Sequence, residues 1–342
     1  MHTKVWKIHS KNRLDKEIQG AADMLKAGEV VAFPTETVYG LGADATNAAA
    51  VRKIFEAKGR PQDNPLIAHV ASVEQLNTLV TFIPDYVYRL IDAFSPGPLT
   101  YILPASDFCA DNVRAGLSTI GVRIPSHPIA LALIQAAGRP VAAPSANVSG
   151  KPSPTAAAHV FEDLNGRISG LIDGGQTGVG LESTVIDCTG EIPIILRPGG
   201  ITKEQLELEA GTVMMDPGLV TSSEDRPKAP GMKYKHYAPE VPLYLFAGTD
   251  RAFRDFVDKE KQAGNRIGVL VSDQTADIFA EDTNIHRLGE TIEEIASSLY
   301  DGLRFFKQAN VDKIMCETFS EQGIGQAVMN RLRKAADRVI EE

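Results

Sequence analysis

Cysteine is scarce: 3 residues in 342, at positions 109, 188 and 316, with no CxxC pair. That excludes a disulfide framework and a cysteine zinc site. Long apolar runs are missing too. No stretch approaches the ~18 residues of a membrane span, and the start, Met1-His2-Thr3-Lys4-Val5-Trp6, lacks the apolar run of a signal peptide. A cytoplasmic setting without membrane attachment is expected. Cations are outnumbered, 35 Lys and Arg against 44 Asp and Glu, for a net charge of −9. A protein that holds nucleic acid by neutralising phosphates is normally basic, so that class is disfavoured. A small phosphorylated ligand, needing only a few local cations, is not. The usual phosphate loops are also absent. Gly150-Lys151 resembles the end of a Walker A loop, but Pro152 follows and Ser145 stands where Gly is required. The run Gly175-Gln176-Thr177-Gly178-Val179-Gly180 has its glycines in the wrong order for a dinucleotide turn, and there is no HExxH, GxSxG or metal-ligand spacing. Any nucleotide site must be assembled from scattered loop residues.

What is present is the balance of a globular protein, 43% hydrophobic and 23% charged residues. The length suits two domains. Short apolar runs at Val30–Phe33, Leu66–Val70, Leu99–Leu103, Ile120–Ile124, Val141–Ala143, Gly170–Asp173, Ser183–Asp187 and Ile194–Leu196 read as strands. They alternate with helical patterns near 14–27, 47–57, 84–94, 127–137 and 155–164. Residues 1–209 are therefore expected to form an α/β domain around a large mixed sheet. From 210 to 240 the periodicity fails, and a structureless stretch of more than ~15 residues reads as a linker or lid. Its end, Lys233-Tyr234-Lys235-His236-Tyr237, is basic and aromatic within an acidic chain. Residues 241–342 carry three further strand patterns, at 243–246, 267–271 and 313–316, with helices near 250–263, 290–308 and 324–338, which predicts a small parallel Rossmann-like sheet.

Chemistry collects where strands end. Pro34-Thr35-Glu36-Thr37-Val38-Tyr39-Gly40-Leu41-Gly42 is a polar, Gly-bearing turn after a buried strand. Lys58-Gly59-Arg60-Pro61-Gln62-Asp63-Asn64 supplies two cations, a glycine and an amide within seven residues. Such a set suits a polyphosphate, and it equally suits two cations complementing a helix C-terminus. Arg123 interrupts the apolar strand Ile120–Ile124, which is costly unless it is paired. A ligand carboxylate could be held by its fork, and an internal ion pair is the alternative. Ala143-Pro144-Ser145-Ala146-Asn147-Val148-Ser149 is a hydroxyl-rich loop, and Glu182-Ser183-Thr184 with Arg197-Pro198-Gly199 forms the last group.

Taken in order, PTETVYGLG, KGRPQDNPL, STIGVRIP, APSANVSGKPS, ESTVID and LRPG resemble the YrdC-like domain of threonylcarbamoyl-adenylate synthases over residues 10–205. The linker and C-terminal domain resemble the longer branch of that family. The resemblance implies a twisted sheet with a concave, cationic cavity, and a nucleotidyltransferase that converts L-threonine, bicarbonate and ATP, with Mg²⁺, to L-threonylcarbamoyl-adenylate and pyrophosphate. The product would pass to a tRNA-modifying transferase complex, direct tRNA binding being compatible but not required. Matched motif by motif, Thr35, His69, Arg123 and Ser183 would contact threonine. Lys58, Arg60, Asn64, Thr119, Ala143, Ser145, Ser153, Arg197 and Tyr237 would contact ATP, Ala143 through its main chain alone, and Lys58 and Arg60 would stabilise the departing pyrophosphate. No metal ligand is expected from side chains, the Mg²⁺ arriving with ATP. His69 is the candidate for proton transfer, against a purely structural strand histidine. A carbamoyl-phosphate-using maturation factor shares the domain but resembles larger chains with cysteine-rich fingers, which this sequence lacks.

Overall fold

The computed structural model describes residues 2–8, 14–219, 236–279 and 284–342, and the chain divides into two compact units, Met1–Ser149 with Ser153–Lys233, and Gly150–Pro152 with Tyr234–Glu342. Within these residues no helix is long and apolar enough to cross a membrane.

The first unit contains an eleven-stranded mixed sheet. Its strands are β1 (Lys4–Lys7), β2 (Val31–Phe33), β3 (Gly40–Asp44), β4 (Ile67–His69), β5 (Leu99–Pro104), β6 (Thr119–Arg123), β7 (Val141–Ala142), β8 (Gly170–Asp173), β9 (Thr184–Asp187), β10 (Ile194–Arg197) and β11 (Met214–Met215). They lie in the order β1-β8-β2-β3-β7-β4-β6-β5-β9-β10-β11. Alternation along the central strands decides which face is core. Ile120 and Val122 of β6, Leu99, Tyr101 and Leu103 of β5 and Ala68 of β4 enter the main apolar cluster. Thr119, Gly121 and Arg123, Thr100 and Ile102, and His69 occupy the alternate positions and so turn to the opposite face. Helices cover the core side. One of them, Ala48–Lys58, starts at Asn47, whose side chain accepts from the Ala49 and Ala50 amides, and ends at Gly59 in the left-handed region, φ 62°.

The expected strands form, with ends moved by at most one residue. Three strands were not foreseen in this unit, β1, β3 and β11, and neither were the helices Val73–Leu79, Asp111–Arg114 and Lys203–Ala210. β3 lies inside the segment read as a turn. Its glycines mask the strand pattern because packing requires them. A Cβ on Gly42 would lie 2.7 Å from Val141 Cγ1 and 2.8 Å from Phe33 Cε1.

The second unit is a five-stranded, wholly parallel sheet of β12 (Leu243–Ala247), β13 (Ile267–Val271), β14 (Ile285–Arg287), β15 (Lys313–Glu317) and β16 (Arg338–Glu341), ordered β14-β13-β15-β12-β16. The parallel sheet is as expected, but it has five strands where three were read. β14 is a three-residue edge strand, and β16 follows the last helix, which stops at Ala335 rather than running to 338. Val269 and Val271 share a core with Phe253 and Val257 of helix Asp250–Gln262. Leu270 and Gly268 turn the other way, against Gly302 and Phe306. Helices thus cover both faces of the sheet.

Candidate active site

Register draws the site together. On β4 and β6, His69 stands opposite Arg123. On β5 and β6, Tyr101 faces Val122, which sets Thr100 beside Arg123. Thr100 faces Val185 on β9, and Val185 faces Arg197 on β10. The pairing shifts between Ile195 and Arg197. That irregularity re-aims the arginine out of the core alternation and onto the same face as Thr100. One row of side chains, from His69 through Arg123 and Thr100 to Ser183 and Arg197, therefore crosses five strands.

Hydrogen bonds tie the row at both ends. Arg197 donates through Nε and Nη2 to the Ser183 carbonyl at 3.2 and 2.9 Å, and Nη2 lies 3.2 Å from Ser183 Oγ. Ser183 Oγ is 2.8 Å from Thr100 Oγ1. Gly199 lets the arginine strand approach: a Cβ there would sit 2.3 Å from the Thr184 nitrogen and 2.4 Å from the Glu182 carbonyl oxygen. At the other end Arg123, 3% exposed, donates from Nε to the Gly97 carbonyl at 3.2 Å and from Nη1 to Thr37 Oγ1 at 3.0 Å. Thr37 Oγ1 is 2.8 Å from Thr35 Oγ1, which donates to the Val38 carbonyl. Arg123 Nη2 lies 2.7 Å from Glu36 Oε1. The internal ion pair weighed as an alternative for Arg123 therefore exists. Glu36 lies within the PTETVYGLG motif, which by itself assigns it no role. Nothing local in the sequence joins two residues 87 positions apart.

Burial raises the Glu36 pKa, but the charge and contacts of Arg123 outweigh it, with help from the amides of Glu36 and Ser126, and hold the carboxyl below its ordinary value. His69 is fully buried. Desolvation, then the Arg123 charge, pushes its pKa down to about 3, against the opposing pull of Glu36. Its Nδ1 is 3.2 Å from the Ile67 carbonyl, and its ring meets Phe33 edge-on at 6.4 Å between centroids. A neutral imidazole of this kind is a hydrogen-bonding group and a weak base.

The loop after β7 supplies a second cluster. Lys58, 1% exposed, donates from Nζ to the carbonyls of Ser145 and Asn147. Asn147 Oδ1 accepts from Ser145 Oγ. The same loop is laced to the PTETVYGLG segment, since Leu41 and Ala146 donate to the Pro144 and Tyr39 carbonyls and Gly40 bridges Ser145. Ala143 donates its N–H to the Ile67 carbonyl at 2.9 Å. Ser153 Oγ bonds Glu182 Oε1 at 2.5 Å, next to Ser183. Thr119 starts β6 on the face of Arg123. Arg60 folds back on the Asn64 and Pro65 carbonyls at 3.4 and 3.1 Å. The structure thus joins Arg123, His69, Thr35, Ser183 and Arg197 by register and contact, and joins Lys58 to Ser145. Arg60 and Asn64 form their own small group. Tyr237 belongs to the second unit, where it has φ 64°, stacks on Tyr300 at 5.4 Å and lies under the Arg331 guanidinium. The linker before it, residues 220–235, lies outside the described residues.

Among the described residues, the buried polar atoms that miss hydrogen-bond geometry include both Glu36 oxygens, Arg123 Nη2, Asn64 Oδ1, Thr155 Oγ1 and Thr177 Oγ1, with others elsewhere in the chain. Such groups are costly in an empty interior, and the Glu36–Arg123 pair, with three of these atoms, is the place where a polar ligand would offset most of that cost.

Residues 23–199 match the family described as "Telomere recombination", and residues 201–337 match "Threonylcarbamoyl-AMP synthase, C-terminal domain". The threonylcarbamoyl-AMP synthase of Bacillus subtilis is 50% identical over 98% of both chains, and that of Pyrococcus abyssi is 47% identical over 96% of this chain and 97% of its own. Among solved structures, P. abyssi Sua5 complexed with L-threonine superposes with a TM-score of 0.93, at 46% identity over 100% of both chains. Escherichia coli YciO matches 58% of this chain and 96% of its own, with a TM-score of 0.54 and 27% identity. A class of enzymes is defined by this fold and site. The chain belongs to the threonylcarbamoyl-AMP synthase family.

Proposed function

We propose that this enzyme forms L-threonylcarbamoyl-AMP and pyrophosphate from L-threonine, bicarbonate and ATP, for the modification of tRNA. The observation that carries the reading is the row across β4, β6, β5, β9 and β10, which lines up one guanidinium, hydroxyls and a second guanidinium on a single face. The P. abyssi relative was crystallised with L-threonine. In the proposed reaction the threonine amine attacks bicarbonate, giving the carbamate with loss of water. A carbamate oxygen then attacks the α-phosphorus of ATP, and pyrophosphate leaves with the bonding pair of the broken P–O bond. Positioning and charge stabilisation suffice for such a step.

Arg123 holds the threonine carboxylate, and Thr35, His69 and Ser183 line the rest of the amino-acid pocket. Arg197, Thr119, Ser145, Ser153 and Asn64 face the nucleotide. Arg60 is a cation for the leaving pyrophosphate. Lys58 shapes the Ser145–Asn147 loop through the carbonyls it holds and brings its charge to that loop. Among the described residues no group of three His, Cys, Asp or Glu side chains could hold a metal ion. Magnesium enters this reading as part of the substrate, MgATP, ligated by phosphate oxygens. Pyrophosphate release with ATP, bicarbonate and threonine, each omitted in turn, tests the reading. Release should require all three, and release without threonine or bicarbonate would overturn it.

A further inference from the structure

We infer that Glu36 is the acceptor for the α-ammonium group of the substrate, so that Glu36 and Arg123 together recognise the zwitterion of an amino acid rather than a carboxylate alone. The inference rests on the threonine-binding reading above.

Three observations carry it. Glu36 Oε1 lies 2.7 Å from Arg123 Nη2, so a negative and a positive group stand side by side. An amino acid carries its carboxylate and ammonium on neighbouring atoms, and this pair presents the complementary charges at a matching spacing. Both Glu36 oxygens and Arg123 Nη2 are shut off from solvent, yet among the described residues none of these atoms meets hydrogen-bond geometry. The contact between them is therefore an ion pair that falls short of hydrogen-bond geometry, and although the Glu36 and Ser126 amides also act on the carboxylate, acceptor and donor capacity remains on the two sides. An ammonium supplies donors to the carboxylate, and a carboxylate supplies acceptors to the guanidinium, so a bound zwitterion would complete both groups at once.

Among the neighbouring side chains the carboxylate has no better donor than Arg123. The side chains that act on it electrically are Arg123, already held by Gly97 and Thr37, the neutral His69, and His127, whose Nδ1 accepts from the Ile129 amide. Glu36 is also fixed from behind, because its carbonyl accepts from the Val179 amide at 2.8 Å. The loop 174–180 thereby clamps the backbone that presents this carboxylate.

The test is calorimetric titration of wild-type protein and the isosteric Glu36→Gln variant with L-threonine, with 3-hydroxybutanoate (threonine without its amine) and with ATP. Wild-type protein should bind threonine at least ~30-fold more tightly than 3-hydroxybutanoate, since the ammonium contact is charge-assisted. Glu36→Gln should lose ~10-fold or more for threonine, lose nothing for 3-hydroxybutanoate, and keep its ATP affinity. Equal threonine binding by variant and wild type would overturn the inference. So would an equal loss for both amino-acid-site ligands, which would make Glu36 a prop for Arg123 and nothing more. Should the variant fail to fold, the wild-type comparison decides: 3-hydroxybutanoate binding as tightly as threonine rejects an ammonium acceptor. Absence of threonine binding by wild type would refute the threonine reading itself, a result distinct from all of these.

Discussion

Replacing Arg123 by methionine separates what the arginine does for stability from what it does for substrate. The guanidinium is 3% exposed and makes contacts of 3.2, 3.0 and 2.7 Å to the Gly97 carbonyl, Thr37 Oγ1 and Glu36. Arg123→Met leaves the Glu36 carboxylate buried without its counter-charge. Breaking a buried pair on one side costs about 3–5 kcal/mol, whereas replacing both partners by neutral groups of similar volume is often close to neutral. The double variant Arg123→Met with Glu36→Gln should therefore recover most of the stability lost in the single variant. Its threonine affinity should not recover. A charge-assisted hydrogen bond contributes about 1.5–3 kcal/mol, equivalent to ~10–150-fold in affinity, and the double variant has lost it. Urea denaturation reads the first quantity and calorimetric titration with threonine the second, with ATP titration as the control for an intact fold. If the double variant is no more stable than the single one, the ion pair is not what holds Arg123. If either variant binds threonine within threefold of wild type, Arg123 does not hold the carboxylate.

Three other perturbations follow from the geometry. Gly199→Ala places a Cβ against the backbone of residues 182–184, so it should destabilise the first unit by more than about 2 kcal/mol and abolish pyrophosphate release; a melting temperature unchanged from wild type would contradict this. Lys58→Met strips the Ser145 and Asn147 carbonyls of their shared donor, at about 1–3 kcal/mol for each buried acceptor left unmet. It should speed amide hydrogen exchange at Ser149, which donates to the Lys58 carbonyl, and weaken ATP binding; unaltered exchange would show that the ammonium does not organise the loop. His69, with its folded pKa depressed to about 3 from 6.5, takes up its proton far more readily in the unfolded chain. Its contribution to stability is present above pH 6.5 and is lost as pH falls from there toward 3, by at most about 1.4 kcal/mol per pH unit. His69→Gln should flatten the stability profile between pH 6 and 4, and a wild-type slope retained in the variant would refute a buried neutral histidine.

Much of the site was legible because its residues break local rules. An arginine in Thr-Ile-Gly-Val-Arg stands out against an apolar strand, and period-two alternation puts Arg123 with Gly121 and away from Ile120 and Val122. The two cations around Gly59 stand out at a helix end. What stayed hidden depends on long-range pairing. The Glu36–Arg123 contact and the Lys58 hold on Ser145 and Asn147 span about ninety residues, and no local pattern encodes such distances. β3 was hidden for a different reason, since close packing on Phe33 and Val141 imposes glycine on a strand that would otherwise be read from its side chains. β14 and β16 escaped notice because edge strands need little apolar surface. The burial pattern of Arg338–Glu341 is almost wholly exposed.

The most direct test is mass spectrometry of the nucleotide product formed from ATP, L-threonine and ¹³C-labelled bicarbonate. The account requires an adenylate that contains threonine and one labelled carbon, formed in step with pyrophosphate. An unlabelled threonyl-adenylate, or ADP and phosphate as the products, would contradict it.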